Sequence, residues 1–285
     1  MPVIAVVNRK GGSGKSTLAA HMAAWCARRG HAVMLGDVDR QQSSRGWLRR
    51  RDPALPAIAP WGIYQKNMLR VPSGISHVVL DTPGGLHGFE LARIVMFADA
   101  IVMPVCPSLF DRESAAHCHA ELMTLPRVAN GRCRLATVGM RVDGRTRAGD
   151  VLLQWSAGLG LPMIGVLRET QLYVRALERG LTMFDLPPAQ AATDLAQWES
   201  ILQWLLPLLE PPQAANDPSP DRPAAARVAS ARPASLMPAQ ESLLHGRRLG
   251  TMPAARAAGA PVAQQPRVLP DAAGGRGPIP QILKR

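Results

Sequence analysis

Lysine is nearly missing from this chain. Of the 33 lysines and arginines among its 285 residues only four are lysine, Lys10, Lys15, Lys66 and Lys284, and two of these share one glycine-rich stretch. An ammonium is a compact charge that fits beside a phosphate, whereas a guanidinium is a broad planar fork, so this placement is chemically selective. Cysteine is sparse too. Cys26, Cys106, Cys118 and Cys133 show no C-x-x-C spacing, which argues against a disulfide framework or zinc ribbon and for reduced core thiols. His117, Cys118 and His119 stand in a row, but neighbours on a helix point in different directions and cannot close on one ion. There is no run of about 18 apolar residues and no charged-then-apolar leader. A cytoplasmic protein without a membrane partner is expected.

What the chain has in excess is positive charge. A net +12 and a sequence pI near 10.8 suit a polyanionic partner, nucleic acid or an anionic membrane surface. Composition changes near residue 210. Residues 211–285 hold 13 of the 26 prolines, no aromatic residue, and ten basic against four acidic side chains. Such a segment buries too little apolar surface to offset its ordering entropy, so a disordered basic tail is expected there. Residues 1–210 form the expected folded domain.

Within that domain apolar runs alternate with helical patterns, which predicts an α/β fold with a mostly parallel twisted sheet flanked by helices. The expected strands are Val3–Val7, Ala32–Gly36, His77–Leu80, Ala100–Val105, Arg134–Gly139 and Met163–Leu167, with Ala57–Ile63 as a further candidate. The expected helices are Ser16–Arg29, Leu86–Phe97, Arg112–Leu125, Gly149–Ala157, Thr170–Arg179 and Leu195–Leu209, with Gly30 and Gly180 as C-terminal caps of two of them.

The stretch VVNRKGGSGKST joins a predicted strand to a predicted helix, the context in which a glycine loop cradles phosphate. The ordinary pattern G-x-x-x-x-G-K-[ST] fails, because Arg9 stands where its first glycine belongs. What stands instead is K-G-G-x-G-K-S-T. Backbone N–H groups of Gly11, Gly12, Ser13 and Gly14 converge on an anion, Lys15 reaches the β- and γ-phosphates, the Ser16 hydroxyl ligates Mg²⁺, and Thr17 sits near the α-phosphate. Two further stretches, LGDVDRQQSS and HVVLDTPGG, place Asp37, Asp39 and Asp81 at the carboxyl ends of apolar strands, where ligands of parallel sheets collect. Asp37 and Asp81 are read as Mg²⁺ holders, directly or through water, and Asp39 as the group that orients the attacking water. Gly84 and Gly85 let the backbone approach a γ-phosphate.

KGGSGKST, DVDRQQSS and VVLDTPGG together resemble the ParA/MinD family of deviant-Walker P-loop ATPases over roughly residues 1–205. The later stretches GMRVDGRTRA, LRETQLYVRALERGLTMFDLPP and DLAQWESIL resemble solitary ParA-type proteins. The resemblance implies ATP and Mg²⁺ as cofactors. It also implies that Lys10 is a signature lysine reaching a partner's phosphates, so that ATP binding makes a sandwich homodimer. A cognate partner protein that stimulates slow hydrolysis follows from the same source. The sequence departs from the family at Arg40, where proline is common in D-x-D-P-Q, and at Arg141, where an asparagine often touches the adenine.

Non-specific DNA binding, and with it association with the nucleoid, is implied for basic residues late in the domain. Arg168, Arg175 and Arg179 are spaced seven and four apart, so a continuous helix would align them, with Arg145 and Arg147 in a nearby loop. A solvated face paired with Glu169 and Glu178 is the alternative. Two other functions stay open on the sequence: a MinD-like membrane-cycling regulator and a metabolic enzyme of the same superfamily.

Overall fold

Seven parallel strands hydrogen-bond into one sheet in the order β3-β2-β4-β1-β5-β6-β7. They are β1 (Val3–Val6), β2 (Val33–Asp37), β3 (Ile58–Gly62), β4 (His77–Asp81), β5 (Ala100–Val105), β6 (Arg134–Val142) and β7 (Met163–Arg168). The computed structural model describes residues 1–39, 41–62 and 71–210. The basic segment 211–285, Arg40 and Ile63 lie outside the described residues. Among the described residues no helix is long and apolar enough to cross a membrane.

The near-continuous apolar strands are explained by cover on both faces. Alternate side chains go to opposite layers: Ile4 and Val6 join one core cluster, Val3, Ala5 and Val7 the other. The first cluster is closed by α1 (Lys15–Arg28) and α8 (Pro188–Leu209), through Leu18, Met22, Trp198 and Ile201. The second is closed by α3 (Gly88–Phe97), α4 (Leu109–Met123), α5 (Pro126–Ala129) and α6 (Ala148–Gly158), through Leu91, Cys118 and Leu152. Two more helices, α2 (Ser43–Leu48) and α7 (Gln171–Glu178), line a cavity with Ser16 and Thr17 at the start of α1.

Every expected strand and helix forms, Ala100–Val105 with its expected bounds and the others with shifted ends. Helix α8 begins at Pro188 rather than Leu195, because proline at the first helical position lacks only an N–H that would be unpaired anyway. Strand β6 runs on to Val142 and so takes in Arg141. The short α2 and α5 add to the expected helices, since six and four residues carry too little periodicity to register in the sequence. Gly30 and Gly180 follow α1 and α7 with positive φ, as expected of such caps. Cys26, Cys118 and Cys133 are buried and Cys106 half-buried, all four unpaired as thiols; Cys106 and Cys133 flank β5 and β6 rather than lying inside them. Helix α4 turns Cys118 into the core and leaves His117 exposed.

His21 fastens α1 to the far end of the chain. Its Nδ1 donates to the Thr17 carbonyl at 2.7 Å, its Nε2 accepts from the Met183 N–H at 3.2 Å, and its ring stacks on Trp198 at 5.2 Å. Burial pushes its pKa down to about 4. The unfolded chain therefore takes up a proton between pH 6.5 and 4 that the folded chain refuses, and stability contributed here is present above pH 6.5 and lost as pH falls. At 1.36 kcal/mol per unit the loss is about 3 kcal/mol. The destabilisation caused by His21→Gln, measured by urea unfolding, is expected to be largest at pH 7 and to shrink by about that amount toward pH 4. Comparing the two proteins cancels other titrations, and a pH-independent difference would contradict this account.

Candidate functional site

The carboxyl ends of β2, β4, β1 and β5 stand side by side, and the glycine loop leaves β1 near their middle. Asn8 anchors that loop, its Nδ2 donating to the Pro104 carbonyl at 2.6 Å and its Oδ1 accepting the Lys10 N–H at 3.0 Å. Gly14 takes φ 98° at the start of α1, a conformation that strains any side chain, and a Cβ there would also fall 2.6 Å from Met140 Cε, which would have to move. Helix α1 has no side-chain cap and no acid in its first turn. Its leading N–H groups are thus left for an anion, with the helix dipole favouring negative charge. Gly84 packs on the loop, where an added Cβ would meet the Gly11 nitrogen at 3.2 Å, and the Gly85 N–H donates to the Arg9 carbonyl at 2.5 Å.

Both lysines hold contacts within the chain. Lys15 is buried, its Nζ donating to the Lys10 carbonyl at 2.9 Å; burial lowers its pKa, while Asp81 and Asp39 oppose the shift. Lys10 behaves differently. Its Nζ donates to Asp111 Oδ2 at 2.8 Å, on the first turn of α4, and its side chain keeps 36% of its surface exposed. The same Asp111 oxygen accepts from the Ser108 hydroxyl.

Asp37 and Asp81 are register partners on β2 and β4. Asp37 Oδ1 accepts the Asp39 N–H at 3.0 Å and Oδ2 the Arg45 N–H at 3.1 Å, so both oxygens already hold the following segment in place. Asp39 is half-buried and its Oδ1 accepts the Gln41 N–H at 2.9 Å. Asp81 is fully buried; burial raises its pKa to about 6, against the pull of the Ser44 and Ser16 hydroxyls. Ser44 donates to Oδ2, whereas Oδ1 is buried and has no hydrogen-bond partner among the described residues. A buried, orphaned carboxylate oxygen beside a serine hydroxyl fits a hard cation. No group of three or more His, Cys, Asp or Glu side chains could hold a metal among the described residues. Mg²⁺ does not need one, because it commonly keeps several waters and takes one or two carboxylates together with substrate phosphates.

Beside the loop, Gly14, Thr17, Met140, Arg141, Thr170 and Tyr173 line a cavity of about 190 Å³. Arg141 lies exposed at its mouth with φ 52°, a left-handed conformation. The basic residues do not form the expected single face. Arg168 is the last residue of β7, not part of α7, and its Nε and guanidinium NH₂ each meet buried Asp194 at 2.9 Å. Arg145 is paired with Asp143 at 2.9 Å. Arg147, Arg175 and Arg179 are exposed and make no ion pair among the described residues. Only Arg175 and Arg179 share α7 and its cap.

Two contacts leave little trace in the sequence. The serine at 108 and aspartate at 111 have the S-x-x-D spacing of a capped helix, which reveals the local turn but not the pairing with Lys10. Ser44 carries no such signal.

Residues 4–183 match the family described as CobQ/CobB/MinD/ParA nucleotide binding domain. A Maintenance of carboxysome distribution protein A from Gloeobacter kilaueensis is 39% identical over 111 residues, 38% of this chain and 51% of that one, so this match spans about half the relative's length. A protein of the same name from Halothiobacillus neapolitanus is 25% identical over 189 residues, 64% of this chain and 87% of that one. A solved Borrelia burgdorferi putative plasmid partition protein, bound to AMPPNP, shares the fold with a TM-score of 0.57 at 15% identity, covering 72% of this chain and 98% of its own. With the glycine loop, the carboxylates at the ends of β2 and β4 and the family match over residues 4–183, the chain belongs to the ParA/MinD family of P-loop ATPases.

Proposed function

We propose that this ATPase is a nucleotide-gated switch: ATP brings two copies together, the pair holds DNA without sequence preference, and hydrolysis stimulated by a partner protein releases it. The observation that carries this reading is Lys10. Its ammonium stands at the edge of the loop on Asp111, half-exposed, while Lys15 alone points into the loop it belongs to. A second phosphate-binding ammonium facing outward suits a second copy's triphosphate. Within each copy Lys15 and the N–H groups of residues 11–17 bind the phosphates, and Ser16 and Asp81 hold Mg²⁺, with Asp37 bracing the segment beside them. Mg²⁺, when bound, neutralises charge building on the phosphate oxygens. Asp39 orients the water that attacks. The cavity beside Thr17 and Arg141 takes the base, and the presence of Arg141 in its lining supports that role.

Relatives named for carboxysome distribution and plasmid partition support a cargo that is itself a large assembly, positioned over the nucleoid in the cytoplasm. DNA contact is assigned first to Arg147, Arg175 and Arg179, which make no ion pair among the described residues, and then to Arg145 and Arg168, which keep carboxylate partners. Co-sedimentation with duplex DNA, and separately with anionic liposomes, with and without ATP, tests the reading. ATP-dependent binding to DNA alone supports it; binding to liposomes alone would assign a membrane surface instead. Arg175→Glu with Arg179→Glu is expected to weaken DNA binding at least tenfold and to flatten the salt slope by about 0.9 for each phosphate no longer neutralised, with ATP-dependent self-association retained.

A further inference from the structure

We infer that Ser44 is a positioning residue, the hydroxyl by which the segment carrying Asp39 grips the carboxylate of Asp81 and sets the direction of its free oxygen. The inference rests on the reading of Asp81 as a Mg²⁺ holder. Ser44 is the second residue of α2 and is almost wholly buried, an unusual position for a serine unless its hydroxyl is used. Its Oγ donates to Asp81 Oδ2, a partner 37 residues away.

Three hydrogen bonds therefore tie Asp39, Ser44 and Arg45 to two adjacent sheet carboxylates. The Asp39 and Arg45 N–H groups take the two oxygens of Asp37, and Ser44 takes one oxygen of Asp81. Gln42, with φ 51°, makes the turn between them in the left-handed region, where a side chain other than glycine is strained. That strain is held in place by the bonds on either side of it. Because Oδ2 is taken, Oδ1 is the Asp81 oxygen left for a cation or its water, and rotating it away means breaking the Ser44 bond.

Orientation of a metal's carboxylate by an outer hydroxyl commonly changes affinity by about ten- to a hundredfold. The same bond locates Asp39. Loss of the Ser44 hydroxyl should thus loosen the metal holder and the water-orienting segment together. A cavity of about 550 Å³ lined by Ser16, Ser44, Trp47, Val174 and Leu177 lies beside α2, so the helix has space into which to shift.

The test is Mg²⁺ titration of fluorescent ATP retention by the full chain, with a parallel measurement in EDTA. For Ser44→Ala the Mg²⁺ midpoint is expected to rise about tenfold, with affinity in EDTA unchanged. Ser44→Thr, which keeps the hydroxyl, should return the midpoint to within about threefold of wild type, and Ser43→Ala, an exposed neighbour, should superimpose on it. A Ser44→Ala midpoint within about twofold of wild type overturns the inference. If that variant unfolds, Ser44→Thr against the near-isosteric Ser44→Val makes the same comparison, and equal midpoints overturn it likewise. A wild-type chain whose ATP retention ignores Mg²⁺ would instead sink the parent reading of Asp81.

Discussion

Lys10→Ala is expected to leave ATP binding within a few-fold of wild type while removing ATP-dependent self-association. The ammonium it deletes lies apart from the chain's own phosphate contacts, on Asp111 at 2.8 Å. In the free chain that pair is partly exposed and contributes little, because solvent screens it. Moved onto the triphosphate of a second copy, the same charge meets a more highly charged anion. At about 4 Å and an effective dielectric of 20, one unit pair is worth roughly 4 kcal/mol before desolvation. A symmetric pair makes two such contacts. Shifting an equilibrium from 1:99 to 99:1 needs about 5.5 kcal/mol of differential affinity, which two contacts can supply after the Asp111 pairs are given up. A charge supplied in trans to a transferring phosphoryl group raises turnover by about 10³–10⁵, so hydrolysis should fall by a comparable factor. Sedimentation velocity with ATP reads the association directly. A dimer of unchanged strength in the variant would refute the assignment.

Asp39→Ala is expected to do the reverse to association: bind ATP, accumulate as the self-associated form and turn over at least about a hundredfold more slowly. The basis is position. Asp39 sits two residues beyond β2, half-buried, on a segment braced by Asp37 and Ser44, and close enough to Lys15 to oppose the lowering of its pKa by burial. General-base and water-orienting groups contribute about 10²–10⁴. Removing one leaves the phosphate-binding N–H groups and Lys15 in place, so binding persists while release fails. Single-turnover hydrolysis alongside sedimentation separates the two effects. Wild-type turnover would show that another group orients the water.

Much of the phosphate site is legible in a few neighbouring residues, because its chemistry is local. Glycines at 12 and 14 adopt positive φ, Lys15 follows at once, and an apolar strand of four buried residues precedes them. The carboxylates Asp37 and Asp81 announce themselves as the first charges after apolar strands. The basic face cannot be read that way. Spacing alone would align Arg168 with Arg175 and Arg179 on a continuous helix, yet the chain leaves β7 at Arg168 and starts α7 only at Gln171. A buried carboxylate, Asp194, captures the first arginine, since an unpaired charge at 0% exposure would be far more costly than a paired one. Arg141 is likewise placed by backbone, in a strand end with left-handed φ that no spacing rule foretells.

By itself, then, the sequence determined the alternating strands and helices, the phosphate loop and the acidic strand ends, because backbone freedom, apolar alternation and charge are properties of residues a few positions apart. Tertiary structure alone decided that β1 lies between β4 and β5, that Lys10 rests on Asp111, and that Ser44 grips Asp81. Those partners are 101 and 37 residues apart. Contacts at such range are chosen by packing, which brings many donors within reach of a carboxylate and leaves the pairing to whichever geometry desolvates least.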